Sequence, residues 1–131
     1  EMAREDRRVR FVEPVAMPEI CRHLNRYDVG IYLLPPVNFN HEHALPNKFF
    51  EFIQARLAVA IGPSAEMARI VEEYSLGVVA DSFRPEALAA ALDQLTDESI
   101  RGYKLAADRA ARELNYEAAG RVLLHEIERL V

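Results

Sequence analysis

Asn47, Lys48 and Glu51 are the residues of this chain whose types and spacing best suit binding chemistry. They open a segment in which Phe49, Phe50, Ile53 and Leu57 recur at helical spacing, which gives a helix with one buried face. A helix N-terminus carries unpaired amides and the positive end of the macrodipole, so it attracts phosphate. Asn47 is expected as the N-cap. Lys48 adds a full positive charge in the first turn, where helix electrostatics alone would favour an acid. Glu51, one turn further in, can accept two hydroxyl hydrogen bonds, as a ribose edge offers. The alternative is a surface ion pair between Lys48 and Glu51, worth only a few tenths of a kcal/mol.

Two other groups invite a chemical reading. His41, Glu42 and His43 are adjacent, but neighbouring positions point different ways and no distant Cys or Asp cluster joins them. A solvent-facing loop over 37–43, at the mouth of the site, is expected there rather than a metal centre. Cys21 is the single cysteine and sits in a helical pattern. It cannot form an internal disulfide, so core packing in a reducing cytoplasm is the expectation.

The surrounding pattern supplies the elements that must hold these residues. Leu57-Ala-Val-Ala-Ile61 is a continuous apolar run closed by Gly62-Pro63. Such a run suits a parallel strand covered on both faces. Upstream, residues 1–8 are almost wholly charged and form a lead-in. Val9–Val12 alternates and predicts a short strand. A helix follows from Met17, with Pro18 in its first turn and Ile20, Cys21 and Leu24 inward. Asp28–Leu34 predicts a second strand, stopped by Pro35-Pro36.

Downstream of the apolar run, Ser64 and Glu66 predict a capping box for a helix with Met67, Ile70, Val71 and Tyr74 inward. Leu76–Val79 is a last short strand. A helix over 86–95 and a helical pattern from 96 to 131, broken near Leu114-Asn115-Tyr116, complete the chain. Strand and helix alternate repeatedly, which implies an α/β fold with a parallel sheet in one domain over 1–131. Ligands of such sheets bind at the carboxyl ends of the strands, and the segment 37–48 follows a strand at that end.

Composition narrows the classes. The 131 residues suffice for one core. A formal net charge of −5 argues against a nucleic-acid partner, which would want a basic face. One local cation and a helix end still suffice for a phosphate ligand. No apolar run approaches the ~20 residues of a bilayer span, and no secretory leader is read.

Leu45-Pro46-Asn47-Lys48-Phe49-Phe50-Glu51-Phe52-Ile53 resembles the nucleotide-sugar site of the GT-B glycosyltransferases. The resemblance is to the large retaining family (glycosyltransferase group 1, family-4-like) that carries an acid, seven residues and a second acid. It implies a Rossmann-like parallel sheet with flanking helices, a partial GT-B C-terminal domain. The ligand implied is a nucleoside diphosphate sugar, with uridine or guanosine as the nucleoside. The second acid of that family binds the ribose hydroxyls, and Glu51 stands there. The first acid falls at His43, a departure from the motif, and Glu42 is one residue out of register. Glu13 likewise stands where a glycine is common near the base.

The resemblance covers the later part of the family's domain. The basic pair that neutralises the leaving diphosphate, and the acceptor site, are then expected upstream of a chain cut from a longer parent. Activity of the chain alone is not expected, nor is a metal or other cofactor; the acceptor is not specified. A cytoplasmic location is expected, peripheral to a membrane in the parent as one option. Two family strands are expected to be missing between Val9–Val12 and Asp28–Leu34. The edge so exposed predicts direct pairing of those two segments, a homodimer, or both. The competing expectation is a non-catalytic α/β regulatory or protein-interaction module.

Overall fold

A computed structural model of the chain describes residues 6–130. The opening of the charged lead-in, residues 1–5, and Val131 lie outside the described residues. The architecture is α/β, an open parallel sheet flanked by helices. Strands β1 (Val29–Tyr32), β2 (Ala58–Ile61) and β3 (Gly77–Val79) lie side by side in that order. Val29 aligns with Ala58 and Val59 with Gly77. β2 is central and buried at every position, as its unbroken apolar run requires.

Helices α1 (Ile20–Leu24), α2 (Phe39–Glu42) and α3 (Asn47–Gln54) precede β2. They are followed by α4 (Ala65–Tyr74), α5 (Pro85–Asp93), α6 (Asp97–Ala110) and α7 (Tyr116–Leu130). Strand alternation splits the core in two. Val59 and Ile61 face Phe49, Phe52 and Ile53 of α3, the inner face of α4, and Ala106, Ala107 and Ala110 of α6. Ala60 faces the other way, onto Ala80 and Leu88 beneath α5. The run of alanines lets α6 lie close against β2 and α3.

Several local expectations are corrected. Val9–Val12 is not a strand: the segment is no part of the sheet, and Phe11 is 72% exposed. Alternation over four residues is too short a pattern to specify a strand by itself. The strand expected over 28–34 shortens to Val29–Tyr32. Residues 39–42 are a helical turn rather than open loop, because the Asn38 side chain accepts from the His41 amide at 2.9 Å. Asn47 is the first helical residue of α3, with Pro46 at the N-cap position, so Asn47 does not cap it. Phe52, rather than Phe50, is the buried ring of the pair, and Phe50 is half-buried. Ser64 sits at the N-cap of α4 without capping it, and its buried hydroxyl has no partner among the described residues. The capping box lies instead at Thr96–Ser99. The break at 114–116 falls between α6 and α7, where the Asn115 side chain accepts from the Ala118 amide at 2.8 Å.

Candidate functional site

α3 follows β1 and leads into the parallel neighbour β2, so its N-terminus lies at the carboxyl edge of the sheet. Its first turn holds no acid and makes no side-chain cap. The Phe49 amide donates to the Pro46 carbonyl at 3.0 Å, which leaves the amides of Asn47 and Lys48 to face an anion. The helix is held by Phe49, Phe52 and Ile53 beneath it and by α1 alongside. The Cys21 thiol approaches the Glu51 carbonyl at 3.9 Å. The pKa of Cys21 is raised by burial first and by the Glu51 charge second, against a smaller opposing pull from Arg56.

A groove of about 870 Å³ runs along the outer flank of α3. Asn47 and Glu51 stand in its wall, Met17 and Ile20 line it from the α1 side, and Tyr116 and Val122 line it from α7. Gln54 fixes that geometry: its side-chain amide donates to the carbonyls of Ala111 at 3.0 Å and Leu114 at 2.9 Å. These bonds tie the α6–α7 connection to the end of α3. A polar side chain in a helix pattern gives no hint of such a partner about sixty residues away, so Gln54 is invisible in the sequence. Arg56 closes the same end. It turns the chain into β2 with a left-handed φ of 62° and donates Nε–H to Asp108 Oδ1 at 3.0 Å.

The six residues singled out by the sequence separate here. Asn47 and Glu51 share the groove wall. Lys48 is exposed one residue from Asn47, and no ion pair joins it to Glu51 among the described residues. Pro46 sets the extended entry to α3, with ψ 147°. Leu45 is exposed on that approach. His43 ends α2 with its ring 4.6 Å from that of Phe39, tilted across it. It lies outside the groove lining. Among the described residues no group of three His, Cys, Asp or Glu side chains is placed to hold a metal ion.

The arrangement offers an anion site at a helix end, a neighbouring cation, and a carboxylate one turn away beside an apolar groove. That set can take a ligand with a charged head, adjacent hydroxyls and a flat or apolar remainder. No family model, no curated protein and no solved structure matches the chain.

Proposed function

We propose that this chain binds the nucleoside diphosphate sugar donor of a retaining, GT-B-type glycosyltransferase, as the later part of the donor-binding domain. The observation that carries the reading is the juxtaposition at the head of α3. The uncapped, acid-free first turn with Lys48 takes the diphosphate. Glu51, in the groove wall, accepts the ribose hydroxyls. The groove between Met17, Ile20 and Phe50 then receives the base.

In this reading the chain's own residues bind and orient the donor. Charge stabilisation at the departing diphosphate, which dominates catalysis of this kind, comes from a basic pair upstream. The acceptor is held on a separate domain. His43 in place of the first acid leaves the sugar without that carboxylate, which weakens the hold on the sugar ring relative to the nucleotide. The reading places the protein in the cytoplasm, where a lone half-buried thiol stays reduced. Among the described residues no helix is long and apolar enough to cross a membrane.

The test is titration of the chain with UDP and GDP in a calorimeter, beside Glu51→Gln. Binding of one nucleotide, weakened by roughly 1.5 kcal/mol or more in the variant as for a lost charged hydrogen bond, is expected. No heat with either nucleotide, or equal affinity in the variant, overturns the reading. The outer face of α7 favours a second reading, a non-catalytic interaction module. On it Leu123, Leu124, Ile127 and Leu130 are between 48 and 87% exposed. That module would give no nucleotide heat at all.

A further inference from the structure

Three polar residues of α3 form a row along the groove. Asn47, Glu51 and Gln54 recur at i, i+4 and i+7 and all line it, so they share one stripe of the helix. At 1.5 Å per residue the row runs about 10 Å from the head of α3 to its end. Arg56 and Glu113 line the groove at the Gln54 end. With phosphate at the head of α3 and ribose at Glu51, the edge of the base falls at that end.

The hydrogen-bonding groups left there are one donor and two acceptors. The nitrogen of Gln54 donates to the carbonyls of Ala111 and Leu114. Carbonyls only accept, so Gln54 Oε1 is the group that remains. Asn115 is spent within its own turn. Its Nδ2 donates to the carbonyls of Ala111 and Arg112, and its Oδ1 accepts from the Ala118 amide. Arg56 gives Nε–H to Asp108 and Nη1–H to the Gln54 carbonyl, which leaves Nη2. Glu113 takes the Tyr74 hydroxyl on Oε2 at 3.2 Å, and Oε1 has no donor among the described residues.

We propose that this end of the groove selects guanine, so that the donor is a guanosine diphosphate sugar; the inference rests on the donor-binding reading and narrows it. Guanine presents O6, N1–H and the 2-amino group along one edge, an acceptor beside two donors. Arg56 donates to O6, while Glu113 and Gln54 Oε1 accept from N1–H and the 2-amino group. The faces of the two rings lie between Met17 and Ile20 on the α1 side and Leu114 and Val122 on the other.

The other bases fit this set less well. Uracil presents a carbonyl, N3–H and a second carbonyl, so its one donor leaves an acceptor of the groove facing oxygen. Adenine and cytosine carry a bare ring nitrogen where guanine has N1–H, which sets acceptor against acceptor. A group left unpaired in this way costs affinity. Glu113 is exposed and water competes for it. The expected discrimination is therefore about tenfold, well below that of a sealed polar site.

The test is calorimetric titration of the whole chain with GDP, UDP and inosine diphosphate, which is GDP without the 2-amino group. GDP is expected to bind about tenfold more tightly than either of the others, as for one lost charge-assisted hydrogen bond. Glu113→Gln keeps the size of the side chain and an acceptor for the Tyr74 hydroxyl. In that variant the gap between GDP and inosine diphosphate is expected to close to within about threefold, with an unchanged urea midpoint. UDP binding as tightly as GDP, or more tightly, overturns the choice of guanine and leaves the donor-binding reading standing. So does equal affinity for GDP and inosine diphosphate in the parent chain. A gap that survives Glu113→Gln overturns the role of Glu113. No heat with any of the three nucleotides overturns the donor-binding reading itself, and the choice of base falls with it.

Discussion

Gly30 lies directly under the ring of Phe52: a Cβ built on the glycine would fall among the ring carbons. The missing side chain on β1 is what lets α3 seat against the sheet, and α3 carries Asn47, Lys48 and Glu51. Gly30→Ala should therefore force α3 outward. An overpacking cost of about 1–3 kcal/mol is expected, read as a lower denaturant midpoint. Phe52→Ala should cost about 3–5 kcal/mol by leaving a cavity in the same place. Both variants should loosen nucleotide binding by displacing Glu51. A fully stable Gly30→Ala would mean that α3 does not rest on β1 as described.

Lys48 is exposed and makes no ion pair among the described residues. Its charge is therefore free to act on an anion at the head of α3, and that attraction is screened by salt. Nucleotide affinity should fall as ionic strength rises from about 50 to about 500 mM, in roughly logarithmic fashion. Lys48→Ala should weaken binding by about 1 kcal/mol at low salt and flatten the salt dependence. Calorimetric titrations across a salt series read both effects. Identical slopes for the two proteins would make Lys48 a bystander.

The Arg56 guanidinium beside Asp108 holds that carboxyl below its ordinary value, with a lesser contribution from Arg112. A folded-state value below the unfolded one means the pair stabilises the fold fully above the unfolded carboxyl's pKa of about 3.9. That contribution is lost as pH falls through the lower folded value. The stability gap between the parent and Asp108→Asn should thus be constant from about pH 7 to 5 and shrink toward zero below about pH 4. Urea melts at stepped pH values measure it. A gap that widened in acid would contradict the assigned sign.

Burial and the Glu51 charge push the Cys21 thiol up, so little thiolate is present near neutrality. Alkylation by iodoacetamide at about pH 7.5 should be several-fold slower than for a free cysteine. A nucleotide seated beside Glu51 should slow it further, since both residues line one groove. Alkylation timed by mass spectrometry, with and without nucleotide, gives the comparison. Reaction at the free-cysteine rate would count against the burial.

Gly102 lies within α6, exposed, and a Cβ there meets nothing within 4 Å. The glycine's extra unfolded-state freedom is then an unrelieved cost. Gly102→Ala should raise stability by about 0.5–1 kcal/mol, in contrast to Gly30→Ala. A thermal melt of the two variants side by side is sufficient to show the opposite signs.

The sequence by itself determined the alternation of strands and helices, the buried run at Ala58–Ile61, and the break between α6 and α7. Each of these depends on residues within a few positions of one another, where periodicity and turn chemistry act. It also marked Asn47, Lys48 and Glu51, because their spacing on one helix start is a local matter. Tertiary structure decided the rest. Whether Phe50 or Phe52 faces the core depends on where Gly30 leaves room on a strand earlier in the chain. The Val9–Val12 segment has strand alternation but does not join the sheet, so its local pattern alone does not make it a strand. One wall of the groove beside Glu51 is tied to α3 by Gln54, which reaches the carbonyls of Ala111 and Leu114. Contacts across such separations follow from packing the whole chain at once, and no local pattern encodes them.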